Sequence, residues 1–118
     1  MKLKQYADGR IIDEERQVGY VLLMKTGTGY GDYCTIVGGL RAFHVILTGT
    51  GAITATVTIG VSNDPSNINN FITLKTFTLS GNDRVVDGVV SDVPWPYVIG
   101  QVSAITGTGA SVDLSVAV

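Results

Sequence analysis

Three Thr-Gly-Thr-Gly tetrads, at residues 26–29, 48–51 and 106–109, punctuate this chain beside segments of period-two hydrophobicity. After the second tetrad, Ile53, Ala55, Val57, Ile59 and Val61 alternate with Ala52, Thr54, Thr56, Thr58 and Gly60. One face of such a segment is apolar and the other small and hydroxyl-bearing, the pattern of a half-buried β-strand. After the third tetrad, residues 110–118 alternate in the same way. Glycine takes positive φ without steric cost, so the tetrads at 48–51 and 106–109 are expected to be tight turns of antiparallel hairpins.

Eight strands are expected from this grammar: Tyr20–Met24, Tyr33–Val37, Arg41–Thr48, Ala52–Val61, Phe71–Leu79, Arg84–Val90, Trp95–Ile105 and Ala110–Val118. They are separated by Gly-, Asn- and Ser-rich connections, and no helical period appears in the body. The fold class is therefore all-β, an antiparallel β-sandwich of about eight strands, jelly-roll-like or another Greek key. In Phe71–Leu79 the apolar pair Ile72 and Leu74 is out of phase with Phe77 and Leu79. A bulge near Lys75-Thr76 is expected to restore the phase.

Residues 1–18 follow neither period and are read as an extended N-terminal arm, with residues 19–118 as the sandwich. A helical turn over Asp13–Gln17 would be marginal in isolation. Eight of the chain's eighteen charges lie in the first sixteen residues. The body is thinly charged, and the net charge is −2. Direct binding to nucleic acid, which needs Lys and Arg gathered on one face, is not expected. No segment has the length and hydropathy of a membrane-spanning helix, and no apolar stretch follows Lys2 and Lys4 to make a secretory signal. Synthesis in a cytoplasm is the expectation.

Catalytic chemistry finds little to work with. His44 is the one histidine and Cys34 the one cysteine, and no third orienting group is identifiable for them. His44 shares its strand face with Ala42 and Ile46, which suits a partly buried, hydrogen-bonded side chain or an interface residue. The segment Gly27–Gly31 resembles a phosphate loop, but a strand follows it where a helix N-terminus is needed. The loop Ser62–Asn70 offers oxygen ligands with one carboxylate, Asp64, so its Asn and Asp residues are read as turn formers. No catalytic residue, cofactor or metal site is assigned.

Pro94 and Pro96 flank Trp95 at a strand entrance, where their missing amide donors cost nothing. Trp95 and Tyr97 would then share a rim, either as an aromatic platform for a sugar or as a seal on the core.

The run from Thr54 to Gly81, with Ser62-Asn63-Asp64 and Ser80-Gly81, and the run from Ser91 to Val118, with Pro94-Trp95, Tyr97-Val98 and Thr106–Ala110, resemble small virion proteins of tailed bacteriophages. The likeness covers about residues 52–118 and rests on turn and strand grammar. It departs at Phe71, where the pattern has tryptophan. The resemblance implies a non-enzymatic β-sandwich decoration (cement) protein on the head shell. Its expected partners are the major capsid protein or other virion proteins, and further copies of itself as a dimer or trimer. Candidate contact residues are Tyr6, Ile11, Ile12, Tyr20, Trp95 and Tyr97. A phage neck or tail component, and a carbohydrate-binding module using Trp95 and Tyr97, are the alternatives.

Overall fold

The computed structural model describes residues 3–5, 11–13, 19–36 and 39–118. The strands are β1 (Leu3–Gln5), β2 (Ile11–Asp13), β3 (Gly19–Lys25), β4 (Gly29–Tyr30), β5 (Cys34–Thr35), β6 (Arg41–Ser62), β7 (Ile72–Ser91) and β8 (Tyr97–Ala117). The first two pair only with each other, whereas β3–β8 form one antiparallel sheet in the order β3-β8-β6-β7, with β4 and β5 also paired to β8. The expected all-β antiparallel class holds.

The hairpin reading of the tetrads does not. Thr48–Gly51 lies inside β6 and Thr106–Gly109 inside β8. Ser80-Gly81-Asn82-Asp83, expected to connect two strands, lies inside β7. Each strand runs through its tetrad without reversing, so six of the eight expected strands are halves of three long ones. Fully extended, the 22 residues of β6 would reach about 70 Å, against a longest molecular dimension of 44 Å. The strands therefore bend, and the tetrads are where they do.

Registration shows that the bends line up. Thr50 is opposite Thr108, Thr48 is opposite Arg84, and Ala52 is opposite Asn82. The first tetrad falls on the same line: Lys25 pairs with Val112 on one side of it, Gly29 with Val102 on the other. One crease thus crosses the whole sheet. The fourth residue of each segment has positive φ: Gly29 at 138°, Gly51 at 71°, Gly109 at 64° and Asp83 at 61°. Bulges and bends of this kind let strands pass from one layer to another.

Folded at the crease, the sheet makes two layers. One holds β3, the first half of β6 and the second halves of β7 and β8. The other holds β4, β5 and the remaining halves. Their inner faces meet over Phe43, Val45, Leu47, Ile53, Val57, Ile59, Val61, Phe77, Val98, Val102, Val112, Leu114 and Val116, all at most 3% exposed. The closeness of the layers is visible at Gly100, where a Cβ would lie 2.7 Å from Leu114 Cδ2.

The expected bulge in Phe71–Leu79 is present, one residue from its predicted place. Lys75 pairs with Ile59 and Thr73 with Gly60, leaving Leu74 as the extra residue. Leu74 thereby packs on the core beside Phe77 and Leu79, while Ile72 remains 54% exposed.

Candidate functional site

Opposite the crease, Ile36 follows β5 and residues 92–96 connect β7 to β8. Arg41, 2% exposed, holds both. Its guanidinium donates to the carbonyl of Trp95 and, at 3.3 Å, to the carbonyl of Ile36. Ile36 N also donates to Pro96 O at 2.9 Å. Burial pulls the guanidinium pKa below its usual value. Sequence reasoning missed this clasp, although a signal was present: Arg41 has the same parity as Phe43, Val45 and Leu47 and so falls on the inward register.

This arrangement places the two aromatic candidates differently. Trp95 lies ahead of β8, half-buried against the core with its carbonyl committed to Arg41. Its remaining surface lines a shallow recess with Asn63, Val93 and Pro94. Tyr97 opens β8 opposite Ser62 and meets Tyr33 edge to face, ring centres 5.8 Å apart. Tyr20 pairs with the buried Val116 and packs half-buried on the core. Ile11 and Ile12 belong to β2, which pairs with β1 through Lys4–Ile12 and Gln5–Ile11. The arm read as irregular thus contains a short antiparallel ribbon, formed because residues 3–5 and 11–13 satisfy each other's backbone groups. Tyr6 lies outside the described residues, as do 14–18, most of the segment considered for a helical turn.

Both outer faces carry few charged side chains. On the layer beyond the crease, Thr54, Thr56 and Thr58 of β6 stand opposite Ser80, Thr78 and Thr76 of β7. These three rows form a hydroxyl ladder, and Thr54 is hydrogen-bonded through its hydroxyl to Thr106 of β8. On the other layer, Ala42, His44 and Ile46 stand opposite Val90, Gly88 and Val86. There the outer surface is apolar.

Cys34 and His44 are not brought together. Cys34 pairs with Val98 and packs partly buried on the core, whereas His44 is exposed on the outside of the opposite layer. Burial, and secondarily the charge of Asp32, raises the Cys34 thiol pKa. In the 62–70 loop the side chains do turn-forming work. Asp64 Oδ1 accepts from Ser66 N and Asn67 Oδ1 from Asn69 N, both at 2.9 Å. Ser62 Oγ accepts from Asp64 N and donates to Asp64 O. Among the described residues, no group of three or more His, Cys, Asp or Glu side chains is placed to hold a metal ion.

No protein-family model matches the chain, and no curated protein matches it. Among solved structures it is similar to the K1 cleaved adhesin domain of Lys-gingipain (Kgp) from Porphyromonas gingivalis W83, with TM-score 0.52 and 12% identity. The likeness covers 75% of this chain and 59% of that one. At this identity it is a likeness of fold.

Proposed function

We propose that this protein is a non-enzymatic structural component of a tailed-bacteriophage virion, a decoration protein that binds the major capsid protein and stabilises the head shell. One observation carries the reading: the body is a sheet folded at a crease and closed by the Arg41 clasp, and its outer faces carry little charge. The cores of protein interfaces are depleted of charge in this way. The resemblance of the turn and strand grammar to that of phage virion proteins adds to it. Synthesis takes place in the host cytoplasm, and the working location is the particle surface.

Copy number and position in purified particles test the proposal. Hundreds of copies distributed over the shell support it. A handful at one vertex moves the protein to the neck or tail, and absence from the particle removes both readings.

A second reading, glycan binding, is favoured by the Trp95 recess. The half-burial of Trp95 and the pairing of Tyr97 with Tyr33 move that site from a Trp95–Tyr97 platform to Trp95, Pro94, Val93 and Asn63. Glycan-array binding lost in a folded Trp95→Ala variant would establish it.

A further inference from the structure

The outer face of the layer built from β3, the start of β6 and the ends of β7 and β8 is the surface that the fold leaves least explained. Its register is regular across β7, β6 and β8 here, and β3 joins β8 with one bulge between Val21 and Leu23. His44 sits centrally, between Gly88 on β7 and Ser115 on β8, with Val21 of β3 beyond Ser115. The next row runs Val86, Ile46, Asp113, Met24, and the row on the other side Val90, Ala42, Ala117. Four of these apolar side chains are largely in solvent: Val21 at 58%, Met24 at 69%, Val86 at 50% and Val90 at 64%. Asp113 is the one carboxylate in the three rows, and no lysine or arginine stands in them. A solvent-facing sheet surface ordinarily carries polar residues, so an apolar one marks an interaction site.

Two features bear on what could cover it. The first is the β1–β2 ribbon, which forms a separate two-stranded sheet and adds no strand to the six-stranded one. An isolated two-stranded ribbon is marginally stable in water and gains order by lying on another surface. The second is area. Three rows on four strands span roughly 20 × 20 Å, or about 400 Å², half of the roughly 800 Å² per partner of a stable protein interface. The face alone is too small, and a face plus a ribbon from the partner approaches what is needed. A twofold axis supplies both at once, because each chain gives its ribbon and receives the other's.

We propose that this face is the contact surface for a second copy of the same chain, with the N-terminal ribbon of each copy completing the interface on the other. The alternation of small residues (Ala42, Gly88, Ser115, Ala117) with larger ones (His44, Val86, Val90, Met24) provides the relief that face-to-face sheet packing requires. The proposal concerns the isolated protein and stands apart from the virion reading.

Sedimentation of the purified chain over a concentration range from about 1 to 200 µM tests it. A dimer is expected, with a dissociation constant raised at least tenfold by the pair His44→Glu and Val90→Lys, and also by deletion of residues 1–16. Thr56→Lys, on the hydroxyl ladder of the other layer, is expected to leave it unchanged. Because a charged pair can perturb folding, radical footprinting of Met24 in the unmodified chain provides a second measurement: its oxidation should fall as concentration rises. A monomer throughout the range overturns the proposal, as does a dimer that the His44/Val90 pair leaves intact or an unprotected Met24. Association unchanged by the deletion overturns the role of the ribbon.

Discussion

The backbone amide of Gly51 donates to Asp83 Oδ1 at 2.7 Å, joining β6 to β7 where both strands bend. Both residues are in left-handed conformation, Gly51 at φ 71° and Asp83 at φ 61°. Asp83 therefore acts twice: it tolerates a backbone shape that most side chains resist, and its carboxylate caps the neighbouring bend. Asp83→Ala removes both contributions and should cost about 1–2 kcal/mol. Asp83→Asn keeps an acceptor and a residue at ease with positive φ, and should lose less than half of that. Urea unfolding of the two variants measures the difference.

Among the described glycines, Gly31 is where a side chain would be most crowded. A Cβ there would lie 2.2 Å from the carbonyl oxygen of Leu22, and its own amide donates to Gly100 O at 2.9 Å. Backbone is hard to displace, so Gly31→Ala should destabilise by about 3 kcal/mol, the upper end of overpacking costs. Gly27, four residues earlier, has nothing within 4 Å of such a Cβ. Gly27→Ala should range from neutral to about 1 kcal/mol stabilising, through the unfolded state. Thermal unfolding of the pair separates crowding from chain entropy.

Arg41→Ala should open the clasp. The carbonyls of Ile36 and Trp95 lose their shared donor, and the variant should be less stable by about 2–4 kcal/mol. Trp95 is the one tryptophan in the chain, so its fluorescence reports on this end of the molecule alone. Emission from the folded variant should shift to the red as the 92–96 connection loosens. Unchanged emission and stability would show that Ile36 and the 92–96 connection hold without Arg41.

The Cys34 thiol should react slowly. Burial and Asp32 both disfavour its thiolate, so its pKa lies above the ordinary value and the midpoint of alkylation rate against pH should be displaced upward. At pH 8 the folded protein should alkylate several-fold more slowly than the same chain in urea. Asp32→Asn should bring the midpoint down in part, leaving the larger burial effect in place.

Much of the body was legible from alternation. The alternation from Ile53 through Val61 marks an apolar face, and that face is the buried one, because side chains on a strand must alternate. Alternation also groups His44 with Ala42 and Ile46 on one face, but the partial burial expected for His44 does not hold, since its side chain is exposed. The local chemistry of the 62–70 loop was legible for a similar reason, since Asp64 and Asn67 bond to amides two residues ahead. What the tetrads do was not. A Thr-Gly-Thr-Gly segment supplies positive φ equally well to a strand that reverses and to one that bends and continues. Which occurs depends on the partner: Thr50 faces Thr108, and Asp83 reaches Gly51, across 58 and 32 residues of chain.

The three tetrads and the alternating segments around them are properties of sequence, and they committed this chain to antiparallel β-structure with special geometry at those glycines. Only the tertiary structure decided that the tetrads lie side by side as one crease, with Ser80–Asp83 as the fourth member and Arg41 closing the opposite end. The physical reason is range. Propensity and periodicity act within a few residues, whereas a crease exists only when four distant segments come into register and bury a common face.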